Sequence, residues 1–165
     1  LHRRRHSFPT RRSSDLVREA IESTRLLARG LAPVSQQQGG LPGALRTLAD
    51  SLVGKAPLRV SFEDATGTAP RLDDAAATHL FRIAQEAVSN ALRHAAASEL
   101  RISLEKIGGE LVLTIRDDGR GFPEQVSATA GIGIQTMRFR AAALRGRIEI
   151  EGQNGVTIRC RVPVD

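Results

Sequence analysis

Leu58, Val60 and Phe62 alternate with polar neighbours, as do Leu100, Ile102 and Leu104, and Leu111, Leu113 and Ile115 keep the same spacing. A period of two predicts half-buried strands. Gly108-Gly109, between the second and third runs, predicts a tight hairpin turn. Ile148 and Ile150, then Val156, Ile158, Cys160 and Val162, repeat the pattern around Asn154-Gly155 and predict a second hairpin. Elsewhere the period is helical. Residues 72–97 predict the longest helix, with Leu80, Ala84, Ala87 and Ala91 facing the core, flanked by Phe81, Val88 and Leu92. Asp73 and Asp74 fall in its first turn, where the helix dipole favours acids. Shorter helices are predicted at 43–53 and 133–144, with irregular Gly-rich chain over 117–133. Upstream, Val17, Ile21, Thr24, Ala28 and Leu31 keep a heptad-like spacing on a helix ended by Pro33, and that stripe requires a partner helix. Residues 34–43 form a polar connector. The order of helix, helix, strand, long helix, two strands, loop, helix and two strands predicts an α/β two-layer sandwich, a mixed sheet with helices on one face.

Composition narrows the function. The 165 residues suit one domain. No Trp or Tyr and only five Phe leave few platforms for stacking bases, which argues against a single-strand nucleic-acid binder. One Cys excludes a disulfide framework and a Cys-based zinc site, and Cys160 reads as a buried core thiol. No apolar run reaches the ~20 residues of a membrane-spanning helix. The formal charge of +6 is unevenly spread, because residues 1–16 carry five Arg and one Asp. Within that stretch, His6 to Leu16 (HSFPTRRSSDL) resembles the translation of a sequencing-library adapter and is set aside from fold reasoning. Without residues 1–16, Lys+Arg falls from 24 to 19 and Asp+Glu from 18 to 17, a net of +2, and the case for a polyanionic partner fades. The reading also makes the chain a fragment.

Two features carry chemistry. His79, Arg82, Glu86, Asn90 and Arg93 form a polar stripe on the long helix, with Glu86 and Asn90 one turn apart. A carboxylate and an amide oxygen so placed suit a divalent cation or an oriented water. A solvated helix face is the simpler account of the stripe alone. The second feature is a pair of glycine boxes. Asp117-Asp118-Gly119-Arg120-Gly121-Phe122 follows a strand directly, where a carboxylate beside glycines suits a base with an exocyclic amine, although Asp-Gly is also a common hairpin turn. Gly131-Ile132-Gly133-Ile134 leads into a helix and would present N–H groups to phosphate, or simply cap the helix. P-loop, Rossmann and protein-kinase motifs are absent.

FRIAQEAVSNALRHA (81–95), IRDDGRGF (115–122) and GIGIQTMRFRAAALRG (131–146) together resemble, in order and spacing, the N box and two glycine boxes of the GHKL ATPase superfamily. The likeness is strongest to two-component sensor histidine kinases that partner NarL-type response regulators, with Gln85 and Glu86 before Asn90 and Arg93 and His94 after it. It implies a Bergerat-type ATP-binding fold over 41–165, preceded at 17–40 by part of a dimerisation helix and its linker. It also implies a cytoplasmic domain, whose intact parent could be anchored at the inner membrane. By resemblance, Asn90 ligates Mg²⁺ on the ATP phosphates, Asp117 bonds the adenine amine, and Gly119 and Gly121 line the base pocket. Gly131 and Gly133 flank the phosphates, 122–131 forms a short ATP lid, and Arg93 and His94 neighbour the phosphates. Glu86 stands where hydrolytic relatives keep a water-activating base; in a kinase it would orient Mg²⁺ or its waters.

Two departures from the family pattern stand out. The phosphoacceptor His has no match, since His79 and His94 belong to the long helix and His2 and His6 to the set-aside segment. The fragment is therefore expected not to autophosphorylate. Gly155-Val156 replaces the usual Gly-Thr, whose hydroxyl would help hold water near the adenine site; the loss is worth about 1 kcal/mol. Met137 is open between core packing and a lid contact, and Arg138, Arg140, Arg145 and Arg147 read as a solvated basic face. The implied function is transfer of the ATP γ-phosphoryl to a His and onward to a response regulator, in a homodimer, without nucleic acid. The rival readings are a free-standing GHKL-type ATPase, an anti-sigma-factor serine kinase, and a degenerate non-catalytic binding module.

Overall fold

Alternation along the strands becomes a single five-stranded sheet in the computed structural model, which describes residues 34, 38–54, 57–67, 72–121 and 131–164. The chain divides between Ala32 and Pro33, and every described residue belongs to the second unit. The segment 1–16, the heptad helix at 17–32 and the lid residues 122–130 lie outside the described residues. The elements are α1 (Gly40–Asp50), β1 (Arg59–Ala65), α2 (Asp74–Asn90), β2 (Glu99–Ile107), β3 (Glu110–Asp117), α3 (Ile132–Ala143), β4 (Arg147–Glu151) and β5 (Thr157–Pro163). The sheet order is β1-β2-β3-β5-β4, with β1 and β2 parallel and the other neighbours antiparallel. Parallel neighbours need a crossover, and α2 supplies it between β1 and β2. This is the predicted two-layer α/β architecture.

One face of the sheet builds the core. Leu100, Ile102 and Leu104 on β2, Leu111, Leu113 and Ile115 on β3, and Ile158, Cys160 and Val162 on β5 are buried. They face Leu80, Ile83, Ala84, Ala87 and Val88 of α2 and Met137 and Ala141 of α3, all buried as well. Each such Leu or Ile contributes about 1.5–3 kcal/mol by leaving water. Met137 thus resolves to core packing. Burial pushes the Cys160 thiol up to about 12, so it is a core atom and not a nucleophile. On the opposite face, register sets Arg101 against Arg116 and Arg159 against Glu149. Arg147, Arg159 and Arg161 form ion pairs there with Glu110, Glu149 and Glu151. Of the predicted basic face, Arg138 and Arg145 are exposed, Arg147 is held by Glu110, and Arg140 reaches His79 Nδ1 at 3.4 Å.

Helix ends differ from the prediction in instructive ways. α1 starts at Gly40, three residues early, because Gly39 adopts φ +84° and Pro42 is tolerated in a first turn. Asp73 is the N-cap of α2, accepting from the Ala76 N–H at 2.6 Å, with Asp74 behind it in the first turn. The α-helix then stops at Asn90, and Ala91–Ala95 form a π turn ended by Ala96 at φ +50°. That turn leaves Leu92 exposed (41%), although the periodicity predicts it as a flank of the core.

Candidate nucleotide site

Where α2 passes into its π turn it faces the ends of β3 and β5. Small side chains at Ala87, Ala91 and Ala95 leave room there, and a cavity of about 640 Å³ opens between helix and sheet. Its apolar lining includes Ile115, Ile134, Val156 and Ile158. Its polar lining is Asn90, His94, Asp117 and Arg120, and its glycines are Gly121, Gly131 and Gly133. A mostly apolar cavity with a few convergent polar groups is the usual form of a small-molecule site.

Asp117 is the most constrained of these groups. It ends β3 and is buried. Its Oδ1 accepts from the Gly119 N–H at 2.9 Å and the Val156 N–H at 3.3 Å. The main chain adds a third tie, from the Asp117 N–H to the Val156 carbonyl at 2.9 Å. Among the described residues Oδ2 takes no bond, so this oxygen is the one left for a ligand. The Val156 partners are backbone atoms. The departure from Gly-Thr at Gly155-Val156 therefore keeps both bonds to Asp117 and removes only a side-chain hydroxyl.

The first glycine box packs directly on the π turn. The Arg120 N–H donates to the Ala95 carbonyl at 2.9 Å, and a β-carbon built on Gly119 would run into Ala95, its carbonyl carbon only 2.8 Å away. Gly121 has φ +71°, and a β-carbon there would collide with the Gly152 carbonyl. Both the backbone conformation and the space admit only glycine at 121. Asp118 clamps the box from outside. Its Oδ1 accepts from the Ser98 and Glu99 N–H groups, both at 2.8 Å, and its Oδ2 accepts from the Ser98 hydroxyl. The Ser98 hydroxyl and then the Glu99 N–H pull the Asp118 carboxyl from its ordinary 3.8 down to about 2.

A lowered folded-state pKa means that this stabilisation is full above the ordinary carboxylate value and is lost as pH falls through about 2. The difference in urea midpoint between the protein and Asp118→Asn should accordingly be constant at and above pH 5 and shrink below pH 4. Equilibrium denaturation across that range is the check.

Of the predicted site residues, Asn90, His94, Asp117, Gly121, Gly131 and Gly133 come together around the cavity. Gly119 does not line it but holds Asp117 and packs on Ala95. Arg93 is exposed outside the lining, and its guanidinium is taken by the Ser89 hydroxyl one turn back. Glu86 is half-buried outside the lining, with its carboxyl against Gly133. Sequence reasoning missed Arg120 and the apolar walls. The four-residue spacing of Ala87 and Ala91 was the available signal for the gap, since small residues on a core face leave volume unfilled. Among the described residues no group of three His, Cys, Asp or Glu forms a metal cage. The donor set suits a hard cation held by one protein oxygen, with the remaining positions taken by water or ligand oxygens. No described helix is long and apolar enough to cross a membrane.

A family model of histidine kinase-, DNA gyrase B- and HSP90-like ATPases matches residues 75–165. The sensor histidine kinase MctS of Rhizobium johnstonii is 32% identical over 156 residues, covering 92% of this chain and 34% of the relative. The sensor histidine kinase LiaS of Bacillus subtilis is 33% identical over 150 residues, covering 88% of this chain and 40% of the relative. The chain thus spans well under half the length of these curated relatives. Among solved structures, the histidine kinase domain of a blue-light activated histidine kinase from Erythrobacter litoralis aligns with a TM-score of 0.65 at 19% identity, over 88% of this chain and 73% of that one. The ATP-binding domain of PrrB from Mycobacterium tuberculosis aligns with a TM-score of 0.58 at 21% identity, over 74% of this chain and 92% of that one. These two likenesses are of fold.

Proposed function

Because the chain belongs to the family of histidine kinase-, DNA gyrase B- and HSP90-like ATPases, we propose that its cavity binds Mg²⁺-ATP for phosphoryl transfer to a histidine on another segment. The observation that carries this reading is Asp117, a buried carboxylate with one oxygen fixed by backbone N–H groups and the other left for a ligand. Such an oxygen accepts from the exocyclic amine of adenine and repels the oxo group of guanine. Ile115, Ile158 and Val156 offer a flat base one apolar wall, and Gly121 lets backbone approach it.

At the other end, Asn90 offers an amide oxygen for Mg²⁺, and Gly131 and Gly133 open the N-terminus of α3 to phosphate. When bound, Mg²⁺ neutralises the phosphate oxygens and favours charge development toward the leaving group. His94 and Arg120 add donors in the cavity wall. Positioning and electrostatics of this kind supply most of the catalysis in phosphoryl transfer. In the whole protein, the domain would act as the cytoplasmic catalytic part of a two-component kinase, homodimeric through helices of the 17–40 type, passing phosphoryl to a NarL-type response regulator. The similarity to the sensor histidine kinases MctS and LiaS supports this reading over a free-standing ATPase or an anti-sigma-factor kinase. The intact backbone partners of Asp117 support it over a degenerate module.

Calorimetric titration of the chain with Mg-ATP and Mg-GTP tests the proposal. Binding of Mg-ATP at least tenfold tighter than Mg-GTP is expected. A folded sample that binds neither nucleotide sinks it.

A further inference from the structure

Gly131 and Gly133 look equivalent in the sequence, but the structure separates them. A β-carbon on Gly131 would meet nothing within 4 Å. A β-carbon on Gly133 would run into the carboxyl of Glu86, with Oε1 inside contact distance, Cδ at 3.0 Å and Cγ at 3.4 Å. Gly133 does not have the left-handed backbone that favours glycine, and neither does Gly131, whose φ is −57°. The vacancy at Gly133 is therefore a matter of space, and an acid from another helix fills that space.

The acid is in a telling place. Gly133 lies in the first turn of α3, which has no acidic residue of its own and no side-chain cap at Gly131. A helix N-terminus attracts negative charge, and here the nearby charge is Glu86, from α2. Gly131, Gly133 and Ile134 line the same cavity as Asn90, one helical turn beyond Glu86. A polyphosphate entering at that end approaches a carboxylate that stands against Gly133, just outside the lining itself. Like charges at close range in a site of reduced dielectric repel strongly, unless a divalent cation lies between them.

We propose that Glu86, kept in position by the missing side chain at Gly133, makes this site select the cation-bound nucleotide and reject the free polyphosphate. The inference rests on the ATP reading above. Glu86 determines which form of the nucleotide binds, and Gly133 is a positioning residue that acts through it. A role for Glu86 as a direct ligand of the cation makes the opposite prediction. Removing a ligand weakens Mg-ATP and leaves free ATP alone, whereas removing a repelling charge tightens free ATP.

The test is calorimetric titration with Mg-ATP and with ATP in excess chelator, using the native chain, Glu86→Gln, Gly133→Ala and the double variant. Thermal melts verify folding. The native chain should prefer Mg-ATP. Glu86→Gln, which keeps size and shape, should tighten free ATP about tenfold or more and so narrow the ratio. Gly133→Ala should push the carboxyl aside and narrow the ratio as well, and the double variant should show no more than Glu86→Gln alone. Unchanged affinity for free ATP in Glu86→Gln overturns the selection role. Full additivity in the double variant overturns the positioning role. A native chain that binds neither form removes the ATP reading and this inference together, whereas Mg-ATP binding with a ratio insensitive to Glu86→Gln removes this inference only.

Discussion

Asp117→Asn should weaken Mg-ATP binding about 30-fold or more while leaving the fold intact. The orientation of the new side chain is set by its surroundings. Two N–H donors, from Gly119 and Val156, converge on Oδ1, so the amide must place its oxygen there. Its NH₂ then occupies the position of Oδ2. A donor in the cavity wall now meets the amine of adenine, another donor, and both lose a partner away from water. An unsatisfied pairing of this kind costs about 1–3 kcal/mol, and each 1.4 kcal/mol is a factor of ten in affinity. Guanine presents an oxygen at the same place, so discrimination against Mg-GTP should narrow in the variant. Titration with both nucleotides, beside a urea melt, separates the pocket from the scaffold. Native affinity for Mg-ATP in Asp117→Asn would show that the base does not address this carboxylate.

What the sequence made legible here was local and periodic. Alternation located all five strands, and Gly108-Gly109 fixed the β2–β3 hairpin register. A mixed sheet was legible from the element order, but not that β1 and β2 form its parallel pair, because alternation carries no strand direction. The π turn at Ala91–Ala95 was hidden for a similar reason. An α step and a π step differ in which carbonyl each N–H reaches, and the hydrophobic pattern records neither. Yet that turn decides the site, since it leaves His94 on the cavity wall and Arg93 outside it. Asp117 was readable from its strand end and its glycines. Asp118 was not, because its partners Ser98 and Glu99 lie about twenty residues away, just before β2 and at its start. The same holds for Glu86 and Gly133, each unremarkable until the fold puts one in the other's space.

Gly155→Ala should cost about 3–5 kcal/mol of stability and abolish nucleotide binding. Gly155 is buried at φ +98°, a region that L side chains enter only under strain of about 1–3 kcal/mol. The added carbon would also run into the Asp117 carbonyl oxygen, with the Asp117 carbonyl carbon at 3.0 Å and the Asp118 Cα at 3.2 Å. These are backbone atoms at the end of a central strand and cannot swing away. Relief requires the start of β5 to move off the end of β3, which breaks the ties between Val156 and Asp117 at about 1 kcal/mol each. Gly109→Ala is the control. Gly109 has φ +82° in the β2–β3 turn, and a β-carbon there meets nothing within 4 Å. That variant carries the conformational penalty without the collision, about 1–2 kcal/mol, and should bind Mg-ATP normally. Urea denaturation of both variants, with titration of the folded fraction, compares the two contributions. Equal losses would mean that backbone conformation alone accounts for Gly155, and that the contact between Gly155 and Asp117 does not hold the base end of the cavity in shape.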